Sequence, residues 1–240
     1  MKMHTLKNIS TLLATLAVIV GTLPLTASQG SVSHDNQHKH KFVDRVEEAL
    51  TVINRSLFFW RQQAGYFRTG AIIIGSVPSA DQTSLLNSLN ANTAELATSM
   101  GSFYTQSNPN PTQAALITNL VNQYTAAEQT YEKDVIAESG AQFQDLTTWN
   151  LIGSQLAQAL VTSNPKINLS ILQKGIAHLI AVQSTVIQQL ALGNFPTALD
   201  HAQQAVEIAD QIGTYLGREI ALQKQLIARR KLDIIVPFPF

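Results

Sequence analysis

The chain has 240 residues, no cysteine, 16 basic and 16 acidic side chains, and a formal net charge of zero. The missing thiols rule out a disulfide framework, Cys-ligated zinc, an iron–sulfur centre and covalently attached haem. The missing basic excess argues against a nucleic-acid partner, and at 45% hydrophobic and 13% charged residues the chain is too apolar for intrinsic disorder.

The first segment reads Met1-Lys2-Met3-His4-Thr5-Leu6-Lys7, then an apolar run from Leu12 to Val20, then Gly21, Pro24 and Thr26-Ala27-Ser28. A basic start, a short apolar core and small residues form the order of a secretory signal peptide, here residues 1–28. The core is shorter than the roughly 20 residues that a membrane span needs. Cleavage near Ala27 or Ser28 is expected, with an uncleaved anchor as the competing reading. Polar residues interrupt every later apolar run, so the mature chain is expected to be exported, periplasmic or secreted, with no membrane span. Residues 29–41 carry no hydrophobic period and predict a flexible, His-rich lead-in. His34, His38 and His40 are candidate metal-capturing residues there, although a flexible tail lacks the fixed second shell of an ordered site.

From Val43 onward the spacing predicts helices alone. The first carries Val46, Leu50, Ile53, Leu57, Trp60, Ala64, Phe67, Ala71 and Ile74, alternating steps of three and four until Pro78 stops it. Ser79 or Asp81 can open a second, with Leu85, Leu89, Leu96, Met100 and Phe103 inward. After the breaker 107–111, a third carries Leu116, Leu120, Tyr124, Ala127, Tyr131 and Val135 and stops at Ser139-Gly140. Leu146, Trp149, Ile152, Leu156 and Leu160 mark a fourth. Asn168 or Ser170 can cap a fifth through Leu172, Ile176, Leu179, Val186 and Leu190. Pro196 suits the first turn of a sixth, which runs through Leu199, Ala202, Val206, Ala209, Gly213, Leu216 and Ile220 to Ile227. No stretch alternates long enough for a half-buried strand. The fold class expected is all-α, an up-and-down antiparallel bundle of about six helices over residues 42–233, two of them long. Residues 234–240, Ile-Ile-Val-Pro-Phe-Pro-Phe, are expected as an apolar, non-helical tail folded onto a bundle end. The long helices could also pair between subunits of a homo-oligomer.

Catalytic signatures are missing. There is no Glu-x-x-His pair for a di-iron bundle, no phosphate loop and no Gly-x-Ser-x-Gly elbow, so no catalytic residue and no cofactor is assigned. One region stands out. Trp60, Gln63, Phe67 and Gly70 share a helix side, and Arg68 precedes the apolar turn Ala71-Ile72-Ile73-Ile74. A buried Arg needs an acidic or carbonyl partner, and Glu128, Asp145 and Asp210 are candidates. An inter-helix pair or a snorkelling side chain is one reading of Arg68; an anion-binding group in a bundle cavity is the other.

This region also resembles a family of small all-helical bacterial and archaeal proteins often labelled glycosyltransferase or acetylglucosaminyltransferase. The family's opening helix has the form Leu-Trp-x-x-His-x-x-Trp-Thr-Arg. Phe59-Trp60, Gln63 in the His place, Tyr66, and Phe67-Arg68 are similar to it, closing with Ile72-Ile73-Ile74-Gly75-Ser76. Further likenesses follow in order: Asn92-Thr93-Ala94-Glu95-Leu96, Ser102-Phe103-Tyr104-Thr105, Leu120-Val121-Asn122-Gln123-Tyr124, Trp149, Asn164-Pro165, Ala177-His178-Leu179 and Ile208-Ala209-Asp210. They cover roughly residues 55–215. In the family, three His imply a shared polar or metal centre. Here Gln63 and Gln123 replace two of them and His178 remains, and amides are poor ligands for the metals that imidazole suits. The resemblance therefore leaves two expectations for Gln63, Arg68, Gln123 and His178, a hydrogen-bonded core network or an interior ligand-binding site. The functional expectation is an exported bundle with a binding or structural role and no catalysis; a small-ligand or metal-binding interior is the alternative.

Overall fold

A computed structural model describes residues 34–76, 79–226 and 228–236. The expected signal peptide and residues 237–240 of the tail lie outside them. The chain divides into two compact units, Met1–His40 and Lys41–Phe240. Seven helices follow one another, with no strand among the described residues: α1 (His34–Ser76), α2 (Ser79–Tyr104), α3 (Pro111–Ile136), α4 (Gln142–Ser163), α5 (Leu169–Ala191), α6 (Phe195–Gln223) and α7 (Arg229–Ile235). The all-α class and the helix-on-helix packing are as the spacing predicts.

Local chemistry fixes the helix ends. Asn110 accepts a hydrogen bond from the Gln113 backbone N–H at 3.2 Å, with Pro111 in the first turn of α3. Asn168, of the two caps offered for α5, does the same for Ile171 at 3.2 Å. Such caps satisfy amides that have no partner within the helix. Gly193 takes φ +73 after α5 and lets the chain turn off, with the Asn194 backbone N–H donating to the Gln189 carbonyl at 2.8 Å.

The inward stripe of α1 holds from Ile53 through Trp60, Ala64, Phe67 and Ala71 to Ile74, all buried. Three expected core positions are corrected by one residue. Leu85, Leu116 and Leu199 are exposed, while Leu86, Ile117 and Ala198 are buried in their stead. In each case two adjacent apolar residues compete, and a helix turns by roughly 100° per residue, so only one can face inward.

Both ends of the bundle domain also differ from expectation. Helix α1 begins at His34, so His34, His38 and His40 lie on helical backbone where a flexible lead-in was expected. At the other end α6 stops at Gln223, and Ile234 and Ile235 belong to a separate seventh helix where a non-helical tail was expected. That helix does fold back, but through Leu232, which is 1% exposed in a cluster with Ala49, Ile53, Ala221 and Leu222. Ile234 instead faces outward at 82% exposure.

Helices α1 and α6 approach closely. A Cβ on Gly213 would sit 2.6 Å from the Leu57 Cα, and one on Gly217 would sit 2.6 Å from the Ile53 Cα. Backbone meets backbone there because neither glycine carries a side chain.

Candidate functional site

The first candidate is a polar layer inside the bundle. Helix α1 contributes Gln63, α3 contributes Tyr124, Thr125, Glu128 and Glu132, and α5 contributes Gln183, all of them buried. Gln63 Nε2 donates to Thr125 Oγ1 at 3.1 Å, and the Tyr124 hydroxyl donates to Gln183 Oε1 at 3.2 Å. The Trp149 ring stands edge-on to Tyr124 at 5.6 Å and tilted to Tyr131 at 6.0 Å, which closes the layer with aromatic surface.

The two glutamates are unusual. Glu128 and Glu132 sit one helical turn apart, so both project from one face of α3. Neither takes part in an ion pair among the described residues. Both Glu132 oxygens, Glu128 Oε2 and Gln63 Oε1 are buried without a hydrogen-bond partner. Burial, and then the Glu132 charge, push the Glu128 carboxyl well above the ordinary range. Burial raises Glu132 likewise, and neighbouring Lys133 offsets this only in part. The Tyr124 hydroxyl is raised by burial and, second, by the Glu128 charge beside it.

The expected site does not assemble as a set. Gln63 is buried in the layer, but Gln123 and His178 are exposed and Arg68 is half-buried. The four therefore do not line one interior cavity. Helical rotation explains the two exposed residues, since Tyr124 and Leu179, their immediate neighbours, take the inward positions. Nor does Arg68 pair with any of its three candidate partners. Asp210 is held by Arg61 through two hydrogen bonds of 2.7 Å. Asp145 lies against Asp134, and that hydrogen-bonding contact raises its carboxyl. Glu128 belongs to the layer. Among the described residues no group of three or more His, Cys or acidic side chains could hold a metal ion.

The second candidate is a cleft of about 590 Å³ between the start of α1, the loop before α5 and α7. Four cationic residues line it: Arg45, Lys166, Arg229 and Lys231, with Leu222 and Leu226 as apolar wall. Lys166 and Arg229 are held in place by partners on the chain itself. Lys166 Nζ donates to the Leu222 carbonyl at 3.2 Å. Arg229 donates to Glu219 Oε2 at 3.2 Å, and Glu219 is buried. Arg218, on the same turn of α6 as Glu219, donates to Asp233 and ties α7 to α6. Gln225 takes φ +55 in the turn between these helices, a left-handed conformation that non-glycine residues seldom adopt. Sequence reading missed this cleft because its cations lie far apart in the chain. The Arg229-Arg230-Lys231 run was the available signal.

No family model matches the chain, and comparison with curated proteins and with solved structures finds no match.

Proposed function

We propose that this is an exported bacterial binding protein without a catalytic role, and that it takes a small anionic ligand of phosphate or carboxylate type in the cationic cleft. The observation that carries the reading is the gathering of Arg45, Lys166, Arg229 and Lys231 around one opening in a chain of zero net charge. Charge-assisted hydrogen bonds from guanidinium and ammonium groups suit such anions. The cleft volume falls within the roughly 300–1,000 Å³ of small-molecule sites, and Leu222 and Leu226 offer contact for an apolar part of the ligand. The order of basic, apolar and small residues before Ser28 supports export to the periplasm or medium. The transferase label of the similar family rests on the order of short motifs alone and has no part in this reading.

Calorimetric titration of the purified protein with inorganic phosphate, pyrophosphate and citrate tests the cleft. Binding that weakens with added salt and falls at least about tenfold in an Arg45→Glu, Lys231→Glu double variant is expected. Absence of heat with all three anions, or unchanged affinity in the double variant, overturns it.

A further inference from the structure

We infer that the C-terminal segment of one copy of this chain, from Ile234 onward, docks in an apolar groove at the opposite end of a second copy, so that molecules associate head to tail. Neither the groove nor this segment lines the cationic cleft, so the contact does not rest on anion binding.

The groove, of about 340 Å³, lies between the turn that joins α3 to α4 and the turn that joins α5 to α6. Tyr131, Val135 and Leu192 give it an apolar lining. Apolar surface continues around it: Phe143, Leu192, Phe195 and Leu199 are each at least 61% exposed, and the last two lie one turn apart on one face of α6. Exposed apolar residues scattered singly are ordinary, but several large ones about one groove mark an interaction surface. Tyr131 adds a polar handle. Its hydroxyl accepts from Gln188 Nε2 at 2.9 Å, which leaves its own proton to donate to a carbonyl seated in the groove.

The matching feature is the tail. Ile234 and Ile235 are exposed on α7, and the sequence runs on as Val236-Pro237-Phe238-Pro239-Phe240. Pro237 and Pro239 fix their φ angles and carry no amide donor, so such a segment gives up little freedom on docking. Proline-rich segments of this kind suit aromatic-lined grooves, and the two phenylalanines supply apolar side chains to fill one.

Reach decides between a molecule's own groove and its neighbour's. Helix α6 starts at Phe195 beside the groove and ends at Gln223, about 40 Å away. Leu232 holds α7 at that far end, against Ala221 and Leu222. Residues 236–240 span at most about 18 Å when fully extended, too little to return to the groove of the same molecule. Charge favours the same pairing: Arg229-Arg230-Lys231 leads into the tail, while Asp134, Glu138 and Asp145 stand at the groove end against Lys133. A tail and a groove at opposite ends make a heterologous contact, which builds rings or open rows of copies.

The test is sedimentation velocity of the purified protein over roughly 1–500 µM, where small interfaces associate. The weight-average mass should rise with concentration beyond that of a dimer. A Phe238→Asp, Phe240→Asp variant removes the tail's side chains, and a Leu192→Asp, Phe195→Asp variant spoils the groove. Each should weaken association at least about tenfold, with circular dichroism unchanged. Mixed one to one, the two variants retain one intact groove and one intact tail, and should form a heterodimer that grows no further. A protein that stays monomeric throughout the range overturns the proposal. So does association that either double variant leaves intact, which is the sign of tail-to-tail or groove-to-groove pairing, and so does a mixture that stays monomeric.

Discussion

Tyr104 illustrates how much one buried hydroxyl can organise. It accepts a hydrogen bond from Trp60 Nε1 at 3.0 Å and shares another with Ser56 Oγ at 2.9 Å, joining α1 to α2 inside the core. Burial raises its phenol, so it stays neutral. Tyr104→Phe leaves the Trp60 N–H and the Ser56 hydroxyl without this partner and should cost about 1–3 kcal/mol in urea denaturation. Glu128 and Glu132 give a prediction in pH. Their folded-state pKa values are raised above the ordinary unfolded value of about 4.3. The stability linked to them is therefore fully present below that value and is lost as pH rises through the raised ones. The melting temperature should fall from pH 5 towards pH 8, and Glu132→Gln should flatten that slope. A melting temperature that instead rises steadily over this window would contradict the assignment. The residues behind these predictions were unevenly legible. Trp60 and Gln63 stand out in sequence because they share a helix side with Phe67. Glu128 reads in sequence only as a candidate partner for Arg68 and Glu132 is not singled out, because a turn's spacing is the same on an outer face as on an inner one.

Helices follow their apolar period, and so the number and order of the six longer ones are legible in the amino-acid sequence. Their ends are legible too, wherever Pro or a capping Asn marks them. Side-chain direction at adjacent apolar residues is not, since Leu116-Ile117 satisfies the same period in either orientation. The residues of the cleft, from Arg45 to Lys231, are brought together by tertiary packing alone and leave no local pattern. Glycine substitutions test the packing of elements against one another. Gly217→Ala drives a methyl against the Ile53 backbone and should destabilise by about 1–3 kcal/mol or more. Gly65→Ala, where a Cβ would meet nothing within 4 Å, should instead stabilise α1 by up to about 1 kcal/mol through helix propensity. Opposite shifts in denaturation midpoint from one chemical change check both claims, and a loss of stability in both variants would refute the second.

For the Lys41–Phe240 unit as a whole, the closing segment links stability to the proposed ligand. Leu232 anchors α7, while Asp233 meets Arg218 and Arg229 meets Glu219, and Arg229 and Lys231 line the cleft. Leu232→Ala should cost about 2–5 kcal/mol, measured by chemical denaturation, and weaken anion binding without removing any cation. Unaltered affinity in a destabilised variant would show that the cleft does not need α7 in place. The seam between α1 and α6 has a further consequence. If these helices slid past each other by one turn, Ala209 or Ala221 would bring a methyl group into space now filled by the backbone of α1. Two missing methyl groups thus set the axial alignment of the first long helix against the last, and the mouth formed by Arg45 and Lys231 inherits that setting.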